Sequence, residues 1–203
     1  MLDKISKIIS LAFHPLWMPL LIFLVIENAD PLLIYNPAIK FFIIIVLIIN
    51  VFAPGMSIFM MKKRKVISSL QMEKRSDRYT PLLLLLAYYI FTYILFRYKH
   101  IPVSPEFYSI IFGLVISIFI ALIITLKWKI SIHMLAQGGF IGVILALNQG
   151  HYLKNIVMLI VLAVVIAGLV GFARVRLKAH SLPQIYTGFL LGFVVCFSCI
   201  YFG

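Results

Sequence analysis

Two histidines, a cluster of arginines and lysines, and two serines at helix starts are the residues here whose types and spacing could do chemistry. Arg174 and His180 stand five residues apart, and Ser181-Leu182-Pro183-Gln184 then opens an apolar stretch. A second polar island, 127–133, carries Lys127, Lys129, Ser131 and His133. A third, 71–81, carries Lys74, Arg75, Asp77 and Arg78 and ends at Pro81. Arginine's planar fork suits phosphate oxygens, and lysine adds a point charge. Ser131 and Ser181 are good N-caps, so each island ends where a helix can present unpaired backbone N–H groups to an anion. One imidazole can attack phosphorus while a second protonates the leaving oxygen. Together these residues describe a phosphate-handling site.

The elements that must position them are membrane helices. Of 203 residues, 64% are hydrophobic and 12% charged, against roughly half and a quarter in a soluble domain. The expectation is an all-α, polytopic transmembrane bundle forming one domain over 1–203, with a core at about 39–203. Apolar segments fall at 8–26, 37–61, 81–97, 107–126, 134–148, 155–172 and 184–202, each near the ~20 residues a bilayer requires. The first is bent or broken at His14-Pro15 and need not cross fully, so six to seven membrane segments are expected. His14 is read as a helix-interior residue beside that bend. Pro54-Gly55 marks a kink or a loosened turn. Ser131 is expected to start the fifth segment, whose Gly138, Gly139 and Gly142 offer a small face for close packing. Cys196 and Cys199 are read as packing residues.

Crossing parity then does useful work. The loops after the second, fourth and sixth segments lie on one side, and these loops are the three islands. Only Lys40, Arg97, Lys99 and Lys154 fall opposite; the other 14 of the 18 Lys and Arg share the island side. The positive-inside rule places that side in the cytoplasm, in a membrane of the bacterial inner type. A net charge of +12 at loop positions suits anionic headgroups rather than nucleic acid, which would require a basic aqueous surface.

In order and spacing the islands resemble the motifs of the type 2 phosphatidic acid phosphatases, or lipid phosphate phosphatases. Those motifs run Lys-x6-Arg-Pro, then Pro-Ser-Gly-His, then Ser-Arg-x5-His-x3-Asp. Arg174 and His180 keep the third spacing, with Ala173 for its Ser and Gln184 for its Asp. Ser131 and His133 keep the second, with Ile130 and Ile132 for its Pro and Gly. Arg78 represents the first; Gln71 stands where its Lys would be, and Pro81 follows two residues late.

The resemblance implies that His180 is a nucleophile forming a phospho-histidine and that His133 protonates the leaving alcohol. Arg174, Arg78 and either Lys74 or Arg75 would bind phosphate, Ser131 would add a hydrogen bond, and Gln184 would fix the His180 tautomer through its amide oxygen. Asp77 is a candidate to supply the missing carboxylate. No metal and no other cofactor is implied. The expected activity is hydrolysis of a lipid phosphate or pyrophosphate, prenyl or glycerolipid. The competing expectations are a relative that binds, senses or moves such a lipid without cleaving it, and a small-anion transporter.

Overall fold

The computed structural model describes residues 1–29, 37–72, 74–98, 105–150 and 155–203. Nine α-helices are among the described residues: α1 Leu2–Ala12, α2 Met18–Ala29, α3 Pro37–Val46, α4 Ala53–Lys63, α5 Tyr79–Tyr98, α6 Pro105–Lys127, α7 Ile132–Gly150, α8 Ile156–Arg176 and α9 Leu182–Tyr201. Five stretches are long and apolar enough to cross a membrane: Ile39–Lys63, Ser76–Tyr98, Pro105–Lys127, Ile156–Arg176 and Leu182–Tyr201. A shorter apolar helix spans Ile132–Asn148. The outer faces confirm the solvent for which this surface is made. On α8, Val157, Met158, Val161, Leu162, Val164 and Phe172 are all exposed, an apolar patch that water would not tolerate.

The first segment breaks into two helices, α1 and α2, across a turn at 13–17. His14 therefore sits in that turn and not inside a helix, a correction to the sequence reading. Pro15 explains the interruption, since it lacks an N–H and clashes with the preceding turn. Amphipathic α1 buries Ser6 and Ser10 and turns Leu2, Ile5, Ile8 and Leu11 outward. It packs on α8, where Arg176 Nε pairs with Asp3 Oδ1 at 2.9 Å.

Near Pro54 the second segment takes the looser of the two expected forms. It widens into a π-helical turn at Leu47–Phe52 before continuing as α4. Pro54 cannot donate to the carbonyl four residues back, at Asn50, and the wider turn absorbs that missing bond.

The pairing of α7 with α9 positions the site. A Cβ on Gly138 would stand 1.9 Å from Phe189 O, and one on Gly192 would stand 1.9 Å from Leu135 O. Gly142 faces Phe193 O and Gly188 faces Ser131 O at similarly short range, 2.6 and 2.5 Å. Two glycine pairs at four-residue spacing, one on each helix, thus let the backbones touch. Contacts advance in the same direction along both chains, so α7 and α9 run parallel and begin side by side. Ser131 N–H donates to Gln184 O at 3.2 Å across the two starts. Gly139, the third residue of the expected small face, instead meets Cys196 Sγ at 3.2 Å.

Candidate functional site

All three polar islands meet at one end of the bundle, and Arg78 joins them. It is 6% exposed and sits in a 3-10 turn, Ser76–Arg78, just before α5. Its Nε donates to Met72 O at 3.0 Å and its Nη1 to Ile130 O at 2.9 Å. Nη2 lies 3.4 Å from His180 Nε2. Pro81 is buried in the first turn of α5, where its missing N–H needs no partner.

The Arg174–His180 spacing has a local cause. Helix α8 closes with Ala179 N–H on Arg174 O at 3.0 Å and Lys178 N–H on Val175 O at 2.8 Å. This is a Schellman closure with Lys178 at φ 51, a left-handed position that usually takes glycine. The reversal carries the chain back over Arg174, so His180 arrives beside the residue six positions earlier. Ser181 then caps α9 in a capping box with Gln184.

His180 is held in one tautomer. Arginine has no acceptor, so Nε2 must offer its lone pair to Arg78. Nδ1 then carries the proton and donates to Gln184 Oε1 at 3.0 Å. The same oxygen accepts Ser181 N–H at 3.3 Å, which fixes which end of the amide is which. Burial, then the Arg78 guanidinium, lowers the His180 pKa to about 3 against a partial offset from Gln184. At neutral pH the ring is uncharged.

A cavity of ≈ 100 Å³ lies over these groups, well above the roughly 10–15 Å³ one water requires. Its polar lining is Arg78, Arg174, His180, His133, His14 and Gln71; Ile58, Leu70, Pro81, Leu82, Leu85 and Ile132 form an apolar wall. No carboxylate is among these lining residues. Arg174 is 9% exposed and its Nε has no hydrogen-bond partner among the described residues.

His133 lines the cavity, with Nε2 3.1 Å from Ser10 O. A carbonyl only accepts, so Nε2 carries the proton there. The His14 ring stands at its edge, with centroids 5.2 Å apart and planes at 81°.

The remaining expected residues lie elsewhere. Ser131 is fully buried, and its Oγ accepts Met134 N–H at 3.5 Å, capping α7; it is not among the cavity-lining residues. Lys74 and Arg75 are exposed and do not line the cavity either. Arg75 Nη1 instead donates to Leu126 O at 2.7 Å, a carbonyl left open at the end of α6. Asp77 does not stand behind His180: its Oδ2 accepts Ser68 N–H at 3.0 Å and the Ser68 hydroxyl, fixing the 66–72 loop. Two lining residues, His14 and Gln71, were not singled out as site residues. For Gln71 the signal was its place seven residues before Arg78. Among the described residues, no group of three or more His, Cys, Asp or Glu is arranged to hold a metal ion.

No family model matches the chain, and neither a curated protein nor a solved structure is significantly similar to it.

Proposed function

We propose that this chain is a divergent member of the type 2 phosphatidic acid phosphatase superfamily. In this reading it hydrolyses a lipid phosphate or pyrophosphate, prenyl or glycerolipid, through a phospho-histidine on His180. The observation that carries the reading is a cavity holding two buried guanidiniums, with no carboxylate among its described lining residues, beside an imidazole whose lone pair faces one of them. Buried charges are ordinarily paired; a phosphate dianion would supply a counter-charge to these two arginines.

The chemistry proceeds in two displacements. Arg174 and Arg78 bind the phosphoryl oxygens, and His180 Nε2 attacks phosphorus as the bond to the leaving oxygen breaks. His133, which takes up a second proton on Nδ1 as the dianion enters while its Nε2–H stays on Ser10 O, gives that oxygen its proton. Water then attacks the phospho-histidine, giving a proton back to the deprotonated Nδ1 of His133 as the P–N bond breaks and inorganic phosphate leaves. As the imidazolium character of His180 grows, Gln184 Oε1 supports Nδ1–H without supplying a full negative charge. Gln71 at the cavity mouth supplies an uncharged amide where the family pattern has lysine, just as Gln184 does where the pattern has aspartate. The two replacements remove one charge of each sign, leaving the balance of the site unchanged.

The apolar wall supports a lipid. Ile58 of α4 and Leu82 and Leu85 of α5 offer a path by which an acyl or prenyl chain stays in the bilayer while its headgroup reaches the arginines. The bundle is read as crossing with six to seven segments, with the site on the cytoplasmic face as loop charge directs. In a background without Cys196 and Cys199, cysteines at Ser76 and Ser181 should label from the same side.

The second reading, a binder or carrier that does not cleave, is favoured by one observation: the His133 proton is turned toward Ser10 O and not toward the cavity. Phosphate release from a panel of prenyl and glycerolipid phosphates separates the two. Release abolished by His180→Ala supports the enzyme. Binding that depends on Arg174, with no His180-dependent release from any substrate, leaves only the binder.

A further inference from the structure

Three imidazoles line the cavity, and the protons of two are already committed. His180 gives its Nδ1–H to Gln184 Oε1, and His133 gives its Nε2–H to Ser10 O. His14 differs. Its Nδ1 lies 3.3 Å from the Leu16 backbone N–H, which donates to it. The ring nitrogen that accepts cannot also carry the proton of a neutral imidazole, so the proton is on Nε2. That N–H has no protein acceptor among the described residues, although the ring lines the cavity beside His133.

We propose that His14 is a third histidine of the anion site, donating its Nε2–H to an oxygen of a bound phosphate monoester. The proposal rests on the phosphate reading of the cavity and adds a ligand-binding residue from outside the three islands. The α1–α2 turn delivers the ring. Pro15 ends α1, the chain turns through 13–17, and Pro15 and Leu16 line the cavity with His14. The Leu16 contact holds the imidazole from its far side, so its orientation is set before a ligand enters. Burial and the nearby Arg174 charge lower its pKa to about 4, keeping the ring neutral at pH 7. A neutral imidazole is a hydrogen-bond donor here and not a proton source; as such it leaves the proton balance of the two displacements untouched. The same turn joins α1 to the site, since Ser10 of α1 orients His133. Helix α1 and the turn after it are therefore part of the proposed binding machinery.

The test is titration calorimetry of the full chain in detergent, with inorganic phosphate and with a short-chain phosphatidic acid as separate probes. His14→Phe keeps the ring and removes both nitrogens. It should weaken binding by about tenfold or more, as expected for a hydrogen bond to a charged group. His14→Gln keeps a donor near the Nε2 position and should bind within about threefold of wild type, since most of that bond survives. Loss with phosphatidic acid alone assigns the contact to the lipid headgroup; loss with both assigns it to the phosphate itself. Should the Phe variant not fold, the wild-type chain still gives an answer. The ¹⁵N-labelled His14 Nε2–H resonance should move downfield on adding the phosphate probe, and an unmoved resonance overturns the proposal. Wild-type binding that His14→Phe leaves unchanged overturns it alone, whereas a wild-type chain that binds neither probe removes the phosphate reading with it.

Discussion

His180 and Gln184 are joined at 3.0 Å across one turn of chain, with the imidazole donating from Nδ1 to the amide oxygen. In the proposed reaction this bond would set the tautomer that a nucleophilic Nε2 requires and would supply only a dipole to the imidazolium that follows. Gln184→Glu keeps the length and the capping-box geometry and adds the charge. His180-dependent phosphate release should then rise by about tenfold or more, given how much a carboxylate in this position contributes in comparable His-assisted sites. Gln184→Leu should reduce release by a similar factor and free the His180 ring, observable as a mixture of imidazole tautomers by ¹⁵N NMR. Equal rates in all three chains would show that Gln184 is only a helix cap.

Arg78 and Arg174 should separate when each is replaced by methionine. Arg78 satisfies two backbone carbonyls, Met72 O and Ile130 O, so Arg78→Met should cost about 2–4 kcal/mol of stability. Arg174 is buried with its Nε unpartnered. Replacing a buried charge that is uncompensated among the described residues with an apolar side chain should stabilise by about 1–3 kcal/mol, or roughly 2–12 °C for a chain of this size. Arg174→Met should therefore melt higher in detergent than wild type, and phosphate, expected to raise the melting temperature of the wild-type chain, should not raise that of the variant. Thermal melts with and without phosphate check both outcomes.

Acid should loosen the fold through two histidines. His180 and His14 have folded-state pKa values of about 3 and about 4, below the 6.5 of the unfolded chain. Between those limits the unfolded chain binds protons that the folded one refuses, so stability is full above pH 6.5 and falls as pH drops. The slope is at most about 1.4 kcal/mol per pH unit for each histidine. Denaturant unfolding at pH 7.5, 6 and 5 should show the loss, and His14→Gln should make the profile shallower. A flat profile would mean that neither ring is held neutral by burial.

Much of this arrangement is legible in the sequence because it follows from local chemistry. His14-Pro15 announces a break, Ser131 and Ser181 announce helix starts, and Gly138 and Gly142 announce a close contact. The parity of apolar segments then brings the islands to one end. Illegible were the partners that compete for a side chain. Arg75 finds an open carbonyl at Leu126, Ser131 caps its own helix, and Asp77 fastens the loop at Ser68. Each of these bonds depends on a surface that exists only after folding. His14 was missed for the opposite reason: it was assigned to a helix, and only the turn at 13–17 brings it to residues more than a hundred positions away.

The glycine contact between α7 and α9 gives a prediction in which fold and site are coupled. A Cβ at position 192 would meet Leu135 O at 1.9 Å, a backbone atom that can retreat only if the helices part. Gly192→Ala should cost about 3 kcal/mol or more, at the upper end for overpacking because no flexible side chain can give way. Parting the helices also loosens the Ser131–Gln184 bond at their shared start, so phosphate release should fall by more than the folded fraction does. Gly168→Ala is the control. Nothing lies within 4 Å of its Cβ, and alanine in an exposed helix position should gain roughly 0.5–1 kcal/mol over glycine. Release per folded molecule, measured beside denaturant unfolding, distinguishes a displaced site from a merely weakened fold. If Gly192→Ala retains wild-type release per folded molecule, the α7–α9 contact supports the bundle without setting the geometry of His180.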